Sequence, residues 1–123
     1  MKNLFGFFVI TILFSPFTQA ATWTMDTKSG AKKFTTVEIQ GINMSETCSK
    51  KCTALNKLKP SKLKINNPIP SLAGHPASKL CTALEGMNRV VTNDKNQQYD
   101  FCEFKDKSMV DSWGLYYKHF PKN

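Results

Sequence analysis

Four cysteines constrain this chain more than any other feature. Cys48, Cys52, Cys81 and Cys102 are spaced C-x3-C, then 28 residues, then C-x20-C. What such a set does depends on the compartment, and the first twenty residues, MKNLFGFFVITILFSPFTQA, bear on that. Lys2 supplies a positive start, Leu4 to Phe14 form a short apolar run, and Pro16 breaks it. Thr18-Gln19-Ala20 then offers small residues where a signal peptidase cuts. The run is too short and wrongly flanked for a membrane span. The expectation is an exported chain that begins at Ala21, secreted or periplasmic. Because Ala21 is not a cysteine, no lipid anchor is expected, and no other apolar stretch reaches membrane length. In an oxidising compartment an even cysteine count predicts two disulfides. A zinc site would need close ligand pairs of the CxxC kind, so no metal is expected.

Beyond the leader, the sequence divides by composition. Residues 21–59 read as a basic β-β-α region. Trp23 and Met25 alternate with polar residues, Lys28 to Ala31 make a turn, and Val37 and Ile39 alternate on the return. Ser45 is expected to cap a helix that carries Cys48, Cys52, Leu55 and Leu58 along one stripe and stops at Pro60. Residues 60–74 are a Pro/Lys-rich linker. Residues 75–123 read as α-β-β-α. Pro76 opens a helix with Ala77, Leu80, Cys81 and Leu84 on its buried face and Gly86 as its C-cap. Residues 87–92 and 98–104 are strand-like about a polar turn. Ser108 to Asp111 forms a capping-box pattern ahead of a helix whose face is Val110, Trp113, Tyr117 and Phe120. The predicted fold class is α+β, a small disulfide-stapled domain, α-β-β-α preceded by a β-β-α extension. One heptapeptide recurs: Ser49 to Leu55 and Ser78 to Leu84 agree at six of seven positions, read here as two short helices of similar make-up.

Charge is uneven. Residues 21–72 hold nine lysines against three acids, whereas 73–123 hold seven Lys/Arg against six. Lys50, Lys51, Lys57, Lys59, Lys62 and Lys64 form the one conspicuous basic cluster, while Lys95, Lys105 and Lys107 lie among acids. Lysines offer point charges rather than planar recognition, so the cluster suits anionic envelope polymers or lipid headgroups and not a specific nucleic acid. Signals for catalysis are weak. The serines sit in no nucleophile elbow, and there is no Gly-rich phosphate loop. His75 precedes Pro76 and reads as a cap, and His119 as a last-turn cation. Trp113, Tyr116, Tyr117 and Phe120 are expected in the core. No enzyme activity and no cofactor are expected.

The ordered set His75-Pro-Ala-Ser-x-x-Cys81, a glycine after the helix, Cys102-x-Phe104-x-Asp106-x-Ser108 and Trp113 resembles a bacterial family of small exported domains, domain of unknown function 333. The resemblance covers roughly residues 67–120. The family pattern has Asn where His75 stands and Gly where Lys107 stands, and cysteines at the positions of Val110 and Phe120. It implies no activity. It does imply that Cys81 and Cys102 have lost their usual partners on the terminal helix. Cys81 can then pair with Cys102, closing a loop worth roughly 3 kcal/mol. In that case Cys48 must join Cys52, and a helix holding both would have to distort, since i, i+4 Cβ atoms lie about 5–6 Å apart. Otherwise Cys48 and Cys52 staple the first half to the second. Cys81–Cys102 is the favoured single pairing, and the rest stays open.

Two functional expectations follow. The first is a non-enzymatic binding module of the cell envelope or exterior. The second is a secreted protease-inhibitor-like protein that presents residues 66–71 or 93–98 as a stiff loop to a partner protein.

Overall fold

A computed structural model describes residues 9–12, 20–48, 51–59 and 75–122. Six strands form it: β1 (Ala21–Thr27), β2 (Gly30–Ile39), β3 (Ile42–Ser45), β4 (Met87–Thr92), β5 (Gln98–Glu103) and β6 (Met109–Asp111). Among the described residues three α-helices accompany them: α1 (Thr53–Lys57), α2 (Pro76–Ala83) and α3 (Ser112–His119). The strands close into an antiparallel barrel in the order β1-β2-β3-β6-β5-β4. The seam pairs Thr24 with Thr92 and Met25 with Val91, and β3 meets β6 at Met44 and Val110. The chain is thus α+β and carries two disulfides, as expected, but the arrangement differs. Instead of an α-β-β-α unit with a β-β-α extension, each half of the chain contributes three strands to one closed sheet.

The pleat makes two cores of this sheet, because alternate side chains face opposite ways. Inside the barrel lie Trp23, Met25, Val91, Phe101 and Met109, with Phe34 packed against them. Trp23 contacts Phe101 at 5.0 Å between ring centroids, and its indole N–H donates to Thr36 Oγ1 at 2.8 Å. That bond satisfies the one polar atom the buried indole carries. On the outside, Ile42, Met44, Cys102 and Val110 pack under Leu80, Cys81 and Leu84 of α2, Leu115 of α3, and Ala54 and Leu58. All four predicted buried positions of the helix after Pro76 are buried. Gly86, read as a cap, has another reason to be glycine. A Cβ there would collide with the Sγ atoms of Cys81 and Cys102, and the left-handed residue that ends α2 is Glu85 (φ 68°).

Two short strands escaped the sequence reading. Ser45 does not cap a helix. It ends β3, buried, where its hydroxyl accepts from the Met109 N–H (2.8 Å) and donates to the Met109 carbonyl (3.3 Å). Similarly, α3 starts at Ser112, not Ser108. Asp111 is its cap, accepting from Trp113 N–H and Gly114 N–H, and residues 109–111 are β6. The linker 60–74 and most of the expected leader lie outside the described residues. Among the described residues no helix is long and apolar enough to cross a membrane.

Candidate functional site

Cys81 joins Cys102, with Cα atoms 5.6 Å apart, and Cys48 joins Cys52, at 5.2 Å. The helix stripe expected to carry Cys48 and Cys52 together is absent. Cys48 ends a 3-10 turn, Glu46–Cys48, and Cys52 is the extended N-cap of α1 (φ −153°, ψ 160°), so the two are not on one continuous helix. The half-to-half staple does not form. Residues of the family-like segment instead hold the first half by hydrogen bonds.

Those bonds concern α1. This helix has only five residues, too few to persist alone, and the C-terminal half pins both its ends. Asp106 accepts from the Thr53 N–H (2.8 Å) and Ser108 Oγ from the Ala54 N–H (3.0 Å). At the other end, His119 Nε2 donates to the Lys57 carbonyl at 2.7 Å. The motif Phe104-x-Asp106-x-Ser108 is therefore a latch for a distant helix. Desolvation works against the Asp106 charge, yet hydrogen bonds from the Ser108 hydroxyl and from the Thr53 and Ser108 N–H groups outweigh it and lower the carboxyl to about 2. Asp111 moves the other way. Burial raises it, its two cap bonds lower it less, and the nearby Asp100 charge adds to the rise.

Of the predicted basic cluster, Lys51 and Lys59 are exposed and Lys57 is half-buried, while Lys50, Lys62 and Lys64 lie outside the described residues. Lys57 and Lys59 line a cleft of about 410 Å³ with Thr53, Asn56 and Leu84.

A polar chain runs along the opposite end of α2. His75 caps that helix, its Nδ1 accepting from the Ser78 N–H (3.0 Å), as its place before Pro76 suggests. Its Nε2 lies 3.0 Å from Asp100, which also accepts from Asn88, and Asn88 accepts from Ser112 Oγ at 2.7 Å. Ser112 is wholly buried and two side chains away from His75. This arrangement fixes α2 and α3 against β4 and β5 and presents no nucleophile beside a base.

The aromatic residues of α3 correct the core expectation. Because the helix begins three residues later than the capping box implies, Ser112 and Leu115 take the buried face. Tyr116 and Phe120 pack only partly against the outer core. Trp113 sits between His75 (4.5 Å) and Tyr117 (5.9 Å, stacked), and Tyr117 is 37% exposed beneath Lys122. Trp113 and Tyr117 thus stack one face on the other, and Tyr116 meets both edge-on.

Residues 73–119 match the family described as Domain of unknown function (DUF333). The matched segment spans α2, β4, β5, β6 and α3, with Cys81, Cys102 and the Asp106–Ser108 latch. No curated protein and no solved structure matches the chain.

Proposed function

We propose that this chain, whose residues 73–119 match the DUF333 family, acts outside the cytoplasm as a small non-enzymatic module that binds anionic surfaces of the cell envelope or exterior. Its leader would be cut after Ala20, leaving a disulfide-held protein. The observation that carries the reading is the cleft rimmed by Lys57 and Lys59, held in place by Asp106, Ser108 and His119. An anionic polymer or a lipid headgroup is the partner such a rim fits, because lysine acts as a point charge without selecting a planar group. The two disulfides and the apolar leader support export.

The test is binding of the mature chain to anionic and to neutral vesicles. Each lysine close to such a surface contributes on the order of 1 kcal/mol, within a Debye length of about 8–10 Å. Binding to anionic vesicles is expected at low salt and should weaken steeply as salt rises. Changing Lys57, Lys59, Lys62 and Lys64 to Gln should abolish it and leave the melting temperature nearly unchanged, since the bond from His119 goes to the Lys57 main chain. Substituting Lys95, Lys105 and Lys107 should matter far less, since neighbouring acids offset them. Undiminished binding by the fourfold variant would reduce the cluster to a solubilising face.

The inhibitor reading has one observation in its favour. The loop at 93–98 is stiffened by Asn93, whose Oδ1 accepts from the Lys95 and Gln97 N–H groups while its Nδ2 donates to Gln97 Oε1. Sub-micromolar inhibition in a protease panel would place it first.

A further inference from the structure

A second recess, of about 380 Å³, lies away from the Lys57 cleft and takes no part in the function proposed above. Its origin is a difference in strand length. β3 ends at Ser45, opposite Thr36, so among the described residues Lys32–Thr35 of β2 face the recess on that side and not another strand. The floor is Met25, Phe34 and Met109, all drawn from the cluster inside the barrel, and Met25 and Met109 are each 4% exposed. Lys32, Lys33 and Lys107 stand on the rim, all exposed, with Glu46 the lone acid among the lining residues. Thr35, Ser45 and Thr47 complete the lining.

We propose that this recess binds a single-chain anionic amphiphile, its alkyl tail on the Met25–Phe34–Met109 floor and its charged head between Lys107 and Lys32, which shares the face of β2 that carries Phe34. A largely apolar concavity with a few convergent polar groups, at the opening of a barrel, is the common form of a small-molecule site. Lys32 and Lys107 against the single carboxylate of Glu46 leave the rim positive, with Lys33 adding to the field from the other face of β2, which selects an anion over a neutral or cationic head. The tail is recognised because covering the floor removes apolar surface from water. The backbone of Lys107 is anchored at the rim, since its N–H donates to the Phe104 carbonyl (2.9 Å) and its φ is held at 71°. An added β-strand fits less well, since lysines on a strand edge discourage strand pairing.

The disulfide-intact chain, labelled at the methionine methyls, would be titrated with sodium octanoate, octanamide and inorganic phosphate, all below micelle-forming concentration. Octanoate should shift the Met25 and Met109 signals saturably and leave Met87, which does not line the recess, in place. Octanamide, which lacks the charge, and phosphate, which lacks the tail, should bind at least tenfold more weakly. The Lys32→Gln/Lys33→Gln/Lys107→Gln variant should lose octanoate affinity at least tenfold while keeping the buried Met44 signal of the folded protein. A salt series on the unmodified chain, in which octanoate affinity should fall, gives the same answer without mutation. Unmoved Met25 and Met109 signals, octanamide binding equal to octanoate, or affinity indifferent to both salt and the lysine changes would overturn the proposal.

Discussion

Lys107 carries a conformation that suits glycine. Its φ of 71° lies in the left-handed region, where a Cβ crowds the following carbonyl at a cost of roughly 1–2 kcal/mol. Glycine would remove that crowding and give back part of the gain as unfolded-state entropy. Lys107→Gly should therefore stabilise the protein by about 1 kcal/mol, read as a rise in the urea midpoint. Asp106 makes a pH prediction of definite sign. Its folded carboxyl sits at about 2, below the ordinary value of 3.8 that it regains on unfolding. The stability it contributes is present above about pH 4 and is lost as pH falls towards 2. Asp106→Asn should be the less stable protein at neutral pH and should show a flatter acid limb over that interval in denaturation curves. His75 was legible as a cap because a cap and its partner lie within three residues. Asp106 was not, because the helix it caps begins 53 residues earlier.

Elements show where local pattern stops being decisive. Cys-Thr-Ala-Leu occurs twice, and the same four residues open one helix and close another. Cys52 is the extended N-cap of α1, whereas Cys81 lies inside α2 and Leu84 is its C-cap. What separates them is pairing: Cys52 is drawn to Cys48, four residues away, and Cys81 to Cys102 on β5. The strands β3 and β6, four and three residues long, have too few positions to display an alternating pattern and exist through their pairing with each other and with longer neighbours. The two bridges should differ in weight. On the chain-entropy account, a loop closed between positions 21 apart is worth about 3 kcal/mol, and one closed between positions four apart about 2. Replacing Cys81 and Cys102 by Ala should thus lower stability more than replacing Cys48 and Cys52, and the comparison of the two double variants by chemical denaturation checks it.

Over the whole molecule, barrel closure couples the halves. The inner core takes Trp23 and Met25 from β1, Val91 from β4, Phe101 from β5 and Met109 from β6, so neither half encloses it alone. A fragment of residues 75–123 would expose Val91, Phe101 and Met109 to water and keep unpaired edges on β4 and β6. It is expected to bind hydrophobic dyes and to lack a cooperative thermal transition, and mixing it with residues 21–74 should restore one. A sharp transition in the isolated fragment would contradict this coupling. Residue order alone was enough for the elements whose periodicity runs long enough to count: the β1–β2 hairpin, α2, and the β4–β5 hairpin. It was enough as well for the α+β class, the even cysteine count, the excess of lysine before residue 73 and the likeness of the second half to a known family. Packing in three dimensions was needed to establish that the sheet closes, which cysteines pair, where α1 and α3 begin, and that Lys32, Lys33 and Lys107 share a rim. Each of these depends on groups tens of residues apart meeting in space, and a short-range periodicity carries no record of such meetings.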